Sequence, residues 1–311
     1  MTTRIKAYSS RRAKQADDAL LAEIDRLEDV FSAFRPTSEL SRWKRGDVTT
    51  VSSELLALLQ TAAFWQEASC GAFNPAVGGL IERWKQAELD GILPTPDEVL
   101  DLADAIRMPP YSADAQRVGR CDTLNFNAIA KGMIVDMATA HVMGDGVEDI
   151  LVNIGGDLLH SGPDPILVGV EDPKRAYDNV APLTAVEVQG QGMATSGLAR
   201  RGYRIGGRWL SHVIDPRTGW PVEEVSSASV IARDATTADV VATVLSVLTP
   251  TAGLEWLFAL RPLGPQGQTF GPIACCVIDQ AGNLHTNSTW MAASRATDTS
   301  AQPPTPRRLR R

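Results

Sequence analysis

The chain has few cysteines and none in a spacing that carries chemistry. Its 311 residues contain Cys70, Cys121, Cys275 and Cys276, with no Cys-x-x-Cys pair among them. Cys275 and Cys276 are adjacent within "PIACCVID", a strand-like run. Neighbours in a strand point to opposite faces, so the two make a poor chelating pair and a poor disulfide. All four read as reduced thiols, mostly in the core. Positive charge is also short: the formal net charge is -7, which argues against a general affinity for nucleic acid or an anionic membrane surface. No apolar run approaches the roughly 18 residues that a membrane helix needs. The N-terminal "MTTRIKAYSSRRAKQADDALL" has basic residues without an apolar segment after them, so it does not read as a signal peptide. A cytoplasmic protein is expected, exported only if the natural N-terminus is longer. Walker and GxGxxG loops are absent too, and no internal repeat is visible.

What is present is an ordinary globular composition, 44% hydrophobic and 22% charged, enough for a sizeable core. "AKQADDALLAEIDRLEDVFSAF" reads as an amphipathic helix, with Leu20, Ile24, Leu27 and Phe31 at helical spacing. "SSELLALLQTAAFWQEASCGAF" reads as a second helix, capped by Ser52 or Ser53 and ended by Gly71. "PDEVLDLADAI" is a third, and another is expected from about Met133 to Met143. The later half alternates β-branched residues in "VEDILVNIGGDLLHSG", "PILVGVED", "AVEVQG", "YRIGGRWLSHVID" and "SASVIARD". A helix over "TTADVVATVLSVLTP", capped by Thr236 or Thr237, and one over "GLEWLFAL" follow. A hairpin turning at Gly282-Asn283 closes the pattern. Helices early and strands late point to an α+β fold: one large mixed domain over residues 1–293, with helices on a mainly antiparallel sheet. Residues 294–311, rich in proline and polar groups, are expected to be a disordered tail.

Three stretches could carry chemistry. In "NAIAKGMIVD", Lys131-Gly132 precedes the expected helix start, where free N–H groups and a lysine suit phosphate. A lysine on a solvated first turn is the plainer reading. In "LVNIGGDLLHSG", Gly155-Gly156 permits positive φ and close approach of a ligand, although a hairpin turn needs the same residues. In "TTADVVAT", Asp239 and Thr243 share a helix face and offer two hard oxygen ligands suited to Mg²⁺. Taken singly, a capping box of Thr236 with Asp239 is the plainer reading. Together the three stretches suit a pyrophosphate and its metal. His212, in "SHVIDPRTGWPV", adds a base that titrates near neutrality. His141, His160 and His285 read as structural or surface residues.

From about Ala16 to Thr286 the ordered set "FSAFRPTSELSRW", "CGAFNPAVGGL", "NAIAKGMIVDMA", "ILVNIGGDL", "VGVEDP", "GMATSG", "SHVIDPRTGWPV" and "ATTADVVATVLSVL" resembles the ApbE family of FAD:protein FMN transferases. The resemblance implies an ApbE-like, T-fold-related architecture. It also implies an enzyme that cleaves FAD with Mg²⁺ and attaches FMN through a phosphoester to a threonine or serine of an acceptor flavoprotein. It assigns the metal to the Ala128 carbonyl, Asp239 and Thr243, a FAD contact to Lys131, and the base that activates the acceptor hydroxyl to His212. Phe34, Phe73, Asn74, Asn125, Gly155, Gly156 and Ile214 fall where the family surrounds the flavin nucleotide. A monomer or homodimer, with no nucleic acid and no membrane insertion, is expected.

The chain also departs from the family pattern. Met1 to Thr3 reads "MTT" for "MGT". Asn125 stands for an aspartate, Lys44 for an asparagine and Phe34 for a tyrosine. "FDP" has become Phe73-Asn74-Pro75. The metal, lysine and histidine positions are intact, so the pyrophosphate end matches while the adenosine or isoalloxazine end differs. Two other activities fit an altered pocket: a FAD-binding carrier that transfers nothing, and a pyrophosphatase releasing FMN and AMP.

Overall fold

The structure is a computed structural model and describes residues 1–7, 9–111, 123–144, 146–175, 180–197, 202–260, 264, 267 and 269–295. Its first half holds β1 (Thr2–Ala7), α1 (Ser10–Phe31), α2 (Glu39–Arg45), α3 (Ser53–Ala68), α4 (Gly78–Asp90), α5 (Pro96–Ala105) and α6 (Asn127–Val142). Strands then dominate: β2 (Val147–Ile154), β3 (Asp157–Ser161), β4 (Ile166–Val170), β5 (Thr184–Val188), β6 (Gly192–Gly197), β7 (Gly202–Ile205), β8 (Arg208–Ser211) and β9 (Val225–Ala232). The chain continues through α7 (Ala235–Val247), α8 (Pro250–Ala259), β10 (Ala274–Asp279), β11 (Leu284–Thr286), α9 (Ser288–Ala293) and β12 (Ser294–Arg295).

Among the described residues the main sheet has seven strands in the order β1-β2-β3-β6-β9-β10-β11, every pair antiparallel. Helices α1, α3, α6 and α7 cover one face and form the largest core with it. The other face packs under α9 and the small sheet β12-β5-β4. Strand β10 shows the two-sided burial directly: Cys275 and Val277 enter the first core, Ala274, Cys276 and Ile278 the second. The adjacent cysteines therefore point apart, as strand geometry requires. A third core joins α4 and α5 to the hairpin β7-β8.

Local chemistry explains the helices that were legible. The α1 stripe of Leu20, Ile24, Leu27 and Phe31 is buried, and Ser9 caps its start by accepting the Arg12 N–H. Ser52 caps α3, and Thr95 with Glu98 forms a full capping box on α5.

Several sequence expectations are corrected. Helix α4 went unread because it opens on Gly78-Gly79 with no side-chain cap at Val77. Helix α6 starts at Asn127 rather than near Met133; Phe126 at its cap supplies no side-chain bond, and the helix is apolar nearly all round, so no stripe marks its start. The cap of α7 is Asp234, which accepts the Thr237 N–H; neither Thr236 nor Thr237 caps it. Cys70 is exposed, with a positive φ of 50° after α3, so it is not a core thiol. Cys121 lies outside the described residues. The expected tail begins too early: Ser294 and Arg295 pair with Val186 and Ala185 of β5. Its remainder, residues 296–311, lies outside the described residues.

Candidate functional site

Helices α6 and α7 make the site. Their crossing depends on Gly132, where a Cβ would meet Ala235 O at 2.6 Å and Thr236 Cα at 2.7 Å. Only a glycine admits backbone at that distance. Gly192, at the start of β6, does the same from the other side: a Cβ there would meet Ala235 N at 2.4 Å. The first residues of α7 thus sit between two glycines. Asp136 of α6 then fixes them by accepting the Ala235 N–H at 2.7 Å and the Thr236 N–H at 2.9 Å. The Thr236 hydroxyl donates to the same carboxylate at 2.5 Å. Burial, and then the charge of Asp234, push the Asp136 carboxyl up to about 7 against the pull of these donors.

This crossing aims Asp239 at α6. The helix is broken at Ala128, whose φ of -89° and ψ of 16° are non-helical. The Gly132 backbone N–H faces Asp239 closely enough to favour its charged form. Lys131 lies inside α6, not before it. Its ammonium donates to Asp157 and lies 3.4 and 3.3 Å from the two Asp239 oxygens. The solvated-lysine and phosphate-nest readings of the sequence both give way to an ion-paired lysine. The capping-box reading of Asp239 also fails, because Asp239 faces Lys131 rather than the start of its own helix.

Asp157 completes the cluster and was not anticipated. It follows the Gly155-Gly156 turn, whose φ values are 66° and 104°, and begins β3. The turn is exposed, and a Cβ at either glycine would meet nothing within 4 Å. Its structural effect is to return the chain so that Asp157 points inward. Asp157 and Asp239 are 2% and 5% exposed. Burial raises both carboxyls, and the neighbouring charge of Asp157 helps carry Asp239 to about 7. Burial opposes the lysine charge, but Asp239 and Asp157 outweigh it and raise the Lys131 pKa. Thr243, half-buried, lies one turn after Asp239 on the same helix.

His212 belongs to a separate segment. It follows β8 directly, half-buried, between Ser211 and Val213; the Val213 N–H donates to the Ser211 hydroxyl at 2.8 Å. Val213 packs on the main core and Ile214 is buried in the third. The turn beyond is rigid. Gly219 N–H donates to Asp215 O, and the Arg217 guanidinium donates to both Asp215 oxygens. Trp84 of α4 donates its indole N–H to Gly219 O at 2.8 Å. A cleft of about 310 Å³ opens between this turn and the C-terminal end of α7, with Arg217, Trp220, Val222 and Ser246 in its walls. Neither His212 nor Asp239 lines this cleft; it borders the segment after His212 and the far end of the helix that carries Asp239.

The other candidates are dispersed. Phe34 is 81% exposed, while Phe73 is buried in the main core. The Asn74 amide donates to Ile106 O and accepts the Ala76 N–H, so its side chain is committed to the interior. Asn125 accepts the Asn127 N–H, and Lys44 donates to the adjacent Leu124 carbonyl at 2.6 Å. His160 is buried: Gly190 N–H donates to its Nδ1, leaving Nε2–H for Asp149. That and the pairing of His285 with Asp279 make both structural. Asp136 and Asp157 were the residues that reasoning from sequence missed. Their only signal was position: Asp157 directly follows the Gly155-Gly156 pair, and Asp136 lies about one helical turn after Lys131-Gly132.

Comparison with known proteins gives a consistent result. Residues 1–263 match the pattern of the ApbE family. The FAD:protein FMN transferase of Treponema pallidum is 30% identical over 276 residues, covering 79% of this chain and 75% of that protein. That of Vibrio cholerae is 30% identical over 254 residues, covering 76% and 75%. The crystal structure of the ApbE protein from Thermotoga maritima superposes with a TM-score of 0.75 at 24% identity, covering 94% of this chain and 96% of that one. The flavin transferase ApbE from Vibrio cholerae superposes at 0.70 with 22% identity, covering 93% of each. The crossed helices, the antiparallel sheet and the shared sequence pattern lead to one conclusion: the chain belongs to the ApbE family.

Proposed function

We propose that the chain is a divalent-cation-dependent FAD:protein FMN transferase acting on a threonine or serine of an acceptor protein. The observation that carries this reading is the ion pair of Lys131 with buried Asp239 where α6 breaks at Ala128, with Thr243 one turn along α7. Relatives that carry the FAD:protein FMN transferase name support it.

The donor set fits a hard cation. Asp239 supplies a buried carboxylate, Thr243 a hydroxyl, and Ala128 a carbonyl at the kink of α6. Oxygen donors of these kinds suit Mg²⁺ when phosphates and water complete the shell. A cation held there would neutralise charge on the pyrophosphate oxygens of FAD.

The chain's own groups account for the rest. Phosphoryl transfer needs positioning and charge compensation above all. Lys131 supplies a fixed positive charge beside the cation seat. His212 takes the proton of the acceptor hydroxyl, a role worth about 10²–10⁴ in rate. The acceptor oxygen bonds to the phosphorus on the FMN side, that phosphorus releases the bridging oxygen, and AMP leaves.

The test is incubation of the protein with FAD, Mg²⁺ and a domain bearing a flavinylation threonine. A mass gain on the acceptor equal to FMN is expected. AMP release without the gain indicates hydrolysis, and retained FAD with neither indicates a carrier. Asp239→Ala should abolish Mg²⁺-dependent turnover; an unchanged rate would refute the metal seat. His212→Ala should stop transfer while sparing FAD binding, and loss of both together would mean a structural role.

A further inference from the structure

The Lys131 ammonium is shared by two buried carboxylates, and only one of them has a place in the proposed chemistry. Asp239 lies on the cation-bearing helix, whereas Asp157 comes from β3 and reaches the ammonium from a different element. If Asp239 alone faced Lys131, a cation taking that carboxylate would leave the lysine, whose side chain is 41% exposed, beside a second positive charge with no carboxylate to offset it. Two carboxylates on one ammonium also leave one negative charge uncompensated, which favours entry of a cation. Asp157 is 2% exposed and held by the start of β3, so it cannot turn away to solvent.

We propose that Asp157 is a positioning residue that holds Lys131 while Asp239 is surrendered to the divalent cation, so that lysine and cation stand side by side instead of competing. Lys131 is then the internal place-holder for the cation, and Asp157 is what allows the exchange. This rests on the cation reading of Asp239 given above. It requires no new group: the ammonium keeps a counterion throughout, and the cation gains Asp239 without leaving a bare charge.

Mn²⁺ binding, followed by its paramagnetic resonance signal in the absence of flavin and acceptor, tests the inference through a double-mutant cycle. Asp157→Asn should weaken Mn²⁺ binding at least tenfold more when residue 131 is lysine than when Lys131→Met is also present, because the second change removes the ammonium that needs a new partner. If Asp157 were itself a metal ligand, the loss would be as large or larger beside the methionine. If its role were only structural, the two losses would be equal. Either result overturns the proposal. Should Asp157→Asn not fold, Lys131→Met alone decides: tighter Mn²⁺ binding is required, and unchanged or weaker binding refutes the place-holder. Absence of Mn²⁺ binding by the unsubstituted protein, or binding untouched by Asp239→Ala, would overturn the cation reading and this inference with it. Failure confined to the cycle overturns the inference alone.

Discussion

Asp136 shows how one side chain sets the geometry of a site it does not join. It lies on α6, caps α7, and so fixes the register that brings Asp239 to Lys131. Its carboxyl is raised from 3.8 to about 7, first by burial and then by Asp234. The folded chain therefore binds a proton more tightly than the unfolded one between these values. Stability from this group is fully present below about 4 and falls as pH rises to about 7, by at most about 1.4 kcal/mol per pH unit. Urea titrations of the wild type and Asp136→Asn from pH 4 to 8 should show the wild type's advantage shrinking with pH, then levelling off above about 7. A difference independent of pH would show that the donors hold Asp136 charged throughout.

At the scale of elements, the site depends on how closely α6, α7 and β6 approach. Gly132 and Gly192 hold the start of α7 between them, and neither tolerates a Cβ without moving backbone. Gly132→Ala should cost about 1–3 kcal/mol, as overpacking does. It should also push the start of α7 away from α6 and weaken Mn²⁺ binding. A lowered melting midpoint with unchanged Mn²⁺ affinity would mean that α7 yields without disturbing the seat. The turn at Gly219 is built in the same way: a Cβ there would meet Val99 Cγ1 at 2.4 Å, which locks the segment after His212 onto α5.

For the whole molecule, the three cores share elements. Strands β9 and β10 face both the first and second cores, while Val213 and Ile214 tie the first to the third. Each core holds a buried tryptophan: Trp43 and Trp65 in the first, Trp290 in the second and Trp84 in the third. We expect one cooperative unfolding unit over residues 1–295. Variants that keep Trp84 or Trp290 as the sole tryptophan should melt together with the far-ultraviolet signal. Separate midpoints would divide the chain into two units. No described helix is long and apolar enough to cross a membrane.

Much of this was legible along the chain. Periodicity marked α1, and a serine cap marked α3, because those signals lie within a few residues of the feature they specify. The order of short motifs carried the family, and Lys131 with Asp239 were singled out from residue type alone. Helix α4, which lacks a cap, left no such local trace, and neither did the start of α6, where Phe126 supplies no side-chain cap. The partnership of Lys131 with Asp157, 26 residues away, and with Asp239, 108 residues away, could not be read from spacing. Two glycines set those contacts by admitting backbone from distant segments, and a sequence records the glycine without recording what it touches. Residue chemistry was therefore determined by the sequence itself, whereas the sharing of one ammonium between two buried carboxylates was decided only when α6, β3 and α7 packed together.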